Sequence, residues 1–181
     1  KSSLIAALFQ IIDHPLRNGK ILLDGVDIGK VGLHTARKAL AIIPQTPLLL
    51  KPGSVLHNID PFSKHSRENV EIALSKVGLE TDRVLHAEAS ELSAGQQQLL
   101  AVARLLLMDE MPSVVVMDEP SSNIDGQTDA LLQQVIKKEF NGVTMLTIAH
   151  RLETVIGCDR MMVMDAGQVV ECGSPSVLLE K

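Results

Sequence analysis

Val114-Val115-Val116-Met117-Asp118-Glu119-Pro120 joins four consecutive apolar residues, three of them Val, to two acids and a proline. A run of this length and β-branched content reads as a short strand buried on both faces. The acids fall where that strand ends. In an open parallel sheet, ligands bind outside the carboxyl ends of the strands. Two adjacent carboxylates there, beside a hydrophobic run, suit a hydrated Mg2+ and a water that attacks a phosphate. A buried strand running into an acidic turn would use the same residues, so the neighbouring segments bear on the choice.

On the N-terminal side, Leu40-Ala41-Ile42-Ile43 reads as another short buried strand, and Pro44-Gln45-Thr46-Pro47 forces a loop. Proline cannot donate to a strand ladder and restricts the residue before it. Gln45 is therefore a polar side chain just past a strand end, by default a surface loop residue and also where a ligand-sensing amide could sit. On the C-terminal side, Val143 to Ile148 reads as a further strand followed at once by Ala149-His150-Arg151, which sets His150 at a strand end like the two acids. Ser121-Ser122-Asn123-Ile124-Asp125-Gly126 is a polar turn leading to a helix with Leu131, Leu132, Val135 and Ile136 on its apolar face.

Leu92-Ser93-Ala94-Gly95-Gln96-Gln97-Gln98 precedes a helix whose apolar face carries Leu99, Leu100, Ala103, Leu106 and Leu107. Ser93 and Gln96 have the spacing of a capping box, in which the Ser oxygen takes one orphan amide and the Gln reaches back. Such a helix start, with Gly95 beside it, is also a ready anion site. At the beginning of the chain, Ser2 and Ser3 precede the helical period Leu4, Ile5, Leu8, Phe9, Ile11, Ile12, which ends near Asp13-His14-Pro15. A Lys-Ser pair opening a helix matches the tail of the phosphate-binding pattern G-x-x-x-x-G-K-S/T. Asp24-Gly25 and Asp165-Ala166-Gly167 mark two hairpins, residues 51–66 and 78–91 read as mostly loop around a helix from Glu68 to Val77, and Ser174-Pro175 caps a last short helix.

The 181 residues suffice for about one domain with a real core, and 45% hydrophobic content fits a globular protein. The net charge is −5 and the Lys and Arg residues are scattered, so nothing resembles a nucleic-acid footprint. No apolar run is long enough to span a bilayer. Cys158 and Cys172 have neither metal-ligand spacing nor a pairing pattern, which points to a reducing compartment. Lys1 opens the chain without an initiator Met, the mark of an N-terminally truncated fragment.

In this order, the pieces resemble the nucleotide-binding domain of an ATP-binding-cassette (ABC) transporter. Lys1-Ser2 matches the end of Walker A, Gln45 the Q-loop, and Leu92-Ser93-Ala94-Gly95-Gln96 the LSGGQ signature with Ala in place of its first Gly. Val114 to Glu119 matches Walker B with its catalytic glutamate, Ser122-Asn123-Ile124-Asp125 the D-loop, and His150 the H-loop. Ile42-Ile43-Pro44-Gln45, Asn58-Ile59-Asp60-Pro61-Phe62 and Leu146 to Leu152 are similar to the multidrug-resistance-associated (C-subfamily) exporters, and retained Glu119 to the second of their two nucleotide-binding domains.

The resemblance implies an α/β fold: a P-loop NTPase (RecA-like) core with a mostly parallel sheet plus an ABC helical subdomain, with the first strands and most of the P-loop missing. Residues 1–47 would run from the Walker A tail to the Q-loop, 48–107 would form the helical subdomain, and 108–181 would hold Walker B, D-loop, H-loop and the C-terminal hairpin. The implied ligands are ATP and Mg2+. Lys1, Ser2 and Ser3 would hold phosphate, and Ser2, Gln45 and Asp118 would serve the metal. Glu119, His150 and Gln45 would be catalytic. Ser93, Ala94, Gly95, Gln96 and Asp125 would meet the ATP of a second nucleotide-binding domain in a head-to-tail dimer. The other implied partners are transmembrane domains, which would put this domain on the cytoplasmic face of a membrane. A truncated, non-catalytic or regulatory module is the alternative, because the Walker A glycines are not in the chain. A soluble ABC protein acting on ribosomes or DNA is a third reading, disfavoured by the lack of a basic face.

Overall fold

Residues 2–12, 18–118, 124–149 and 155–180 are described by the structure, a computed structural model, with the backbone alone at Asp82 and Arg83. They divide between two compact units, residues 1–33 with 147–181 and residues 34–146.

In the smaller unit, helix α1 (Ser2–Leu8) stops short of the apolar period that continues to Ile12. Gln10 takes a left-handed φ of 52°. The amide of Gln10 then donates to Ala7 O and that of Ile11 to Ala6 O at 3.1 and 2.8 Å, the paired closure of a Schellman motif. Glycine usually fills such a position. Here Gln10 Nε2 donates to Ile28 O at 2.6 Å, a tertiary bond that offsets the steric cost of the conformation. Strands β1 (Leu22–Leu23) and β2 (Val26–Asp27) pair antiparallel about Asp24-Gly25, both with positive φ, as the hairpin signal predicts.

The larger unit begins with helix α2 (Leu33–Lys38), which the sequence reading lacks, and strand β3 (Leu40–Ile43). Helices α3 (Val55–Ile59), α4 (Arg67–Lys76), α5 (Thr81–Val84) and α6 (Ala94–Leu106) follow. Strand β4 (Val114–Asp118), helix α7 (Gly126–Glu139) and strand β5 (Thr144–Ile148) complete the α/β pattern, the last two residues of β5 belonging to the smaller unit. The strands lie in the order β3-β4-β5, with β3 and β4 parallel and Leu40 opposite Val114. Val114 to Met117 are buried, as a strand covered on both faces should be. Helix α6 packs against α7, α4, α3 and β3. Its Leu99, Leu100, Val102 and Ala103 share one buried cluster with Ile43, Leu74, Val115 and Leu132. In the smaller unit again, β6 (Met161–Asp165) and β7 (Gln168–Gly173) form the second expected hairpin, turning on Ala166-Gly167 with positive φ, and a short helix Pro175–Leu179 is capped by Ser174.

Two loop expectations need correction. Residues 78–91 contain α5 and a 3-10 turn, Ala89–Glu91, and residues 51–66 contain α3. The letters Pro52, Gly53, Asn58 and Pro61 read as loop because the support of α3 is tertiary. Asn58 is only 1% exposed, and its Nδ2 donates to the carbonyls of Leu50, Gly53 and Ser54 at 3.1, 3.3 and 3.0 Å. Its Oδ1 accepts from Leu50 N at 2.7 Å and from an Arg104 guanidinium nitrogen at 3.0 Å. Arg104 also donates to Asn58 O at 2.7 Å and Leu48 O at 2.6 Å, so α6 ties down the whole segment from Leu48 to Asn58. Asn58→Leu should therefore cost about 2–4 kcal/mol, since it strips several buried groups of their partners at once. The midpoint of urea unfolding reports it; an unchanged midpoint would show that these bonds contribute nothing net.

Candidate functional site

The register of β3 on β4 ends with Ile43 opposite Met117. Pro44-Gln45 follows β3 and Asp118 is the last residue of β4, so both sit at the carboxyl ends of adjacent parallel strands, where α/β sheets bind ligands. Gln45 is exposed and Asp118 is half-buried. A carboxylate and an amide oxygen are hard donors of the kind Mg2+ takes, and Mg2+ keeps several waters and phosphate oxygens of its own. Among the described residues no group of three or more His, Cys, Asp or Glu gathers to hold a metal, and an ion bound chiefly through waters and phosphates needs none. The donors at this edge fit the ion. Ser2 and Ser3 are exposed at the start of α1, in the other unit. Lys1, Glu119 and His150 lie outside the described residues, as do Ser122 and Asn123 of the D-loop pattern.

The signature segment forms the start of α6. Ser93 is its N-cap, with extended backbone; Ser93 Oγ accepts from Gln96 N at 3.2 Å and Gln96 Oε1 accepts from Ser93 N at 2.9 Å. The capping box expected from the spacing is therefore complete. Ser93 and Ala94 are exposed and Gly95 is buried. The first-turn amides of Ala94 and Gly95 have no carbonyl one turn earlier to bond, so they add partial positive charge at this end of the helix.

Gly95 also answers a packing demand. A Cβ built on it would lie 2.5 Å from Thr128 Cγ2, closer than carbon atoms approach, and 3.1 Å from Thr128 Cβ, tighter than an ordinary contact. Thr128 is itself held: its Oγ1 donates to Asp125 Oδ2 at 2.8 Å, while Asp125 Oδ1 accepts from the amides of Gln127 and Thr128 at 3.1 and 3.0 Å. Asp125 is thus the N-cap of α7, and α6 and α7 meet through Gly95 and Thr128. The Thr128 amide and hydroxyl hold the Asp125 carboxyl below its ordinary value of 3.8.

Two residues of this region escape the sequence reading. Gln98, 1% exposed, donates from Nε2 to Pro44 O at 3.1 Å and to Gln45 O at 2.7 Å. Arg104, partly buried and with its pKa lowered by that burial, holds the loop carbonyls described above. The signal for Gln98 is in the sequence: it falls three residues after Gly95 and four before Val102, so a polar side chain sits on the buried face. Its partners, more than fifty positions away, are not.

The Gly95 contact predicts that Gly95→Ala destabilises the protein by about 1–3 kcal/mol through overpacking. Adding Thr128→Ser, which removes the clashing methyl and keeps the hydroxyl for Asp125, should recover most of that loss in urea unfolding. No recovery would mean the clash lies elsewhere. The lowered pKa of Asp125 gives a second expectation. A carboxyl whose folded pKa is depressed contributes stability above its unfolded value, and that contribution is lost as pH falls through the folded value. Asp125→Asn keeps an acceptor but does not titrate, so the variant's stability should fall less steeply than the parent's as pH drops below the ordinary carboxyl value of 3.8. Superimposable acid-unfolding curves would contradict the assignment.

Comparison with known proteins agrees with these features. The family model for ABC transporters matches residues 1–122. The chain is 43% identical over 190 residues to the probable multidrug resistance-associated protein lethal(2)03659 of Drosophila melanogaster, covering 100% of this chain and 13% of that protein. It is 43% identical over 188 residues to ATP-binding cassette sub-family C member 2 of Rattus norvegicus, covering 99% of this chain and 12% of that one. A solved structure described as a bacterial Atm1-family ABC exporter with ATP bound superposes with a TM-score of 0.86 and 30% identity, over 99% of this chain and 33% of that chain. The α/β fold is accordingly that of a P-loop NTPase core, and the chain has a nucleotide-binding role of the kind that serves transport. It belongs to the ABC transporter family, and within it matches the nucleotide-binding domain of the C-subfamily, multidrug-resistance-associated members.

Proposed function

We propose that this chain is the ATP-hydrolysing domain of a membrane exporter, the second of its two nucleotide-binding domains. It closes head to tail on the other domain and drives transport through transmembrane partners. The observation that carries this reading is the shared sheet edge: Gln45 and Asp118 sit at the carboxyl ends of adjacent parallel strands, in a chain whose motifs follow the family order. Residues 48–107, from the Q-loop to the end of the signature helix, serve as the helical subdomain.

Phosphoryl transfer asks a protein for positioning and charge stabilisation more than for covalent chemistry. When bound, Mg2+ neutralises charge on the β- and γ-phosphates. By the family motifs, Lys1 and Ser3 would hold the triphosphate, Ser2 and Asp118 would each offer an oxygen to the ion, and the Gln45 amide would read its presence. Glu119 orients the attacking water and accepts its proton as the new bond to the γ-phosphorus forms and the bond to the β,γ-bridging oxygen breaks. His150 contacts the γ-phosphate. Ser93 and the first-turn amides of Ala94 and Gly95, with Gln96 completing the cap, face the ATP held by the partner domain, and Asp125 lies at the seam. ATP binds the closed pair more tightly than the open one, so hydrolysis removes the contact that favours closure.

In the full-length exporter, Glu119→Gln should abolish steady-state phosphate release while leaving ATP affinity within about threefold, because the amide keeps the shape and loses the basicity. Unchanged turnover in a phosphate-release assay would remove Glu119 from this role.

A further inference from the structure

Gln98 is a buried amide whose place in the core a Leu would fill at no polar cost. Both of its described bonds run from Nε2, to Pro44 O at 3.1 Å and Gln45 O at 2.7 Å. Those partners accept and never donate, so the nitrogen must face them and the amide has one orientation. Its oxygen is left buried without a partner among the described residues. Half-satisfied buried amides are costly, and one retained in a core answers some other demand. The demand is visible in what Gln98 joins. Pro44 and Gln45 lie beyond the last pair of the β3–β4 ladder, so the described ladder does not hold their carbonyls. Gln98 instead pins them to α6, one helical turn past Gly95. The buried Leu99, Leu100, Val102 and Ala103 fix that part of α6 in the core. At its start, Gly95 abuts Thr128, which Asp125 grips. A continuous path of contacts thus runs from the Gln45 backbone through Gln98 and the first turn of α6 to Thr128 and Asp125.

We propose that Gln98 is a positioning residue that makes the Gln45 turn and the Ser93–Gln96 turn move as one body. Resting on the ATPase reading above, Gln98 passes the state of the nucleotide at this domain's own site to the segment that meets the partner's ATP. The amide acts through Gln45 and α6 and touches neither nucleotide.

The test has two arms. In the full-length exporter, Gln98→Met keeps the bulk and removes the donor. It should lower the ratio of substrate-stimulated to basal ATP hydrolysis by about five- to tenfold, with binding of a fluorescent ATP analogue within about twofold. In a Gln45→Ala background the same substitution should have no further effect on the ratio. An unaltered ratio, or an effect that adds in full to that of Gln45→Ala, overturns the proposal. The second arm needs neither nucleotide nor a folded variant. Hydrogen exchange of the unaltered protein, followed through a denaturant series, should show segments 42–47 and 93–98 opening together with one common dependence on denaturant. Separate openings overturn the proposal even if the exporter hydrolyses ATP. Joint opening in a protein that hydrolyses none leaves the link standing and removes the ATPase reading instead.

Discussion

The parallel pairing of Leu40–Ile43 with Val114–Met117 is the constraint on which the larger unit depends. In β4, where Val114 to Met117 are all buried, every position is apolar and alternation does not set the register, while β3 leaves Ile42 exposed between buried Ala41 and Ile43. The ends set it. Pro44 has no amide hydrogen for the ladder, and the polar Asp118 side chain is half-buried at the last position of β4, so both lie just past the β3–β4 pairing. That requirement aligns the two exits and places an amide and a carboxylate together at one edge of a hydrophobic sheet. Leu40 and Val114 at the other end show the same alignment: Val114 N donates to Ala39 O at 3.1 Å, one residue before the ladder begins.

Helix α6 carries the remaining organisation, and its residues divide by position. The first turn is polar and capped, with Ser93 and Gln96 satisfying each other and Gly95 allowing α7 to approach. The middle is apolar and shared with the cluster that holds β3, β4, α4 and α7 together. The last turns carry Arg104, which reaches back to the segment around α3. One helix thus fixes the positions of an exposed capped start, a sheet edge and a distant loop. A family motif at its start is thereby held in place by residues that belong to no motif.

Much of this is legible in the sequence, and the failures share one physical cause. Strands β3, β4 and β5, both hairpins and the capping box are written in local signals: apolar runs, glycine turns with positive φ, and a Ser-to-Gln spacing. Helix α1 ends early because Gln10 adopts a left-handed conformation steadied by Ile28 O, a contact that no local pattern announces. Helix α3 is hidden because Asn58 supports it through Leu50 and Arg104, one of them forty-six positions away. In the site, Asp118, Gln45 and Ser93 follow from strand ends and caps. The tightness of Gly95 against Thr128 and the grip of Gln98 on the Gln45 turn are long-range contacts, and spacing marks only one partner of each. The roles of Lys1, Glu119 and His150 rest on family resemblance.

The Arg104 anchor has a consequence of its own. Ion pairs on the molecular surface, such as Arg67 with Glu71 and Lys76 with Glu139, weaken as salt rises or as the carboxylate gains a proton. Arg104 has instead the carbonyl oxygens of Leu48 and Asn58 and the amide oxygen of Asn58, none of which titrates. The link between α6 and the 48–58 segment is therefore indifferent to protons and only weakly sensitive to ionic strength. Acid that disarms the Asp125 cap leaves this link intact, so the two ends of one rigid helix face their neighbours with different tolerance of the surrounding solution.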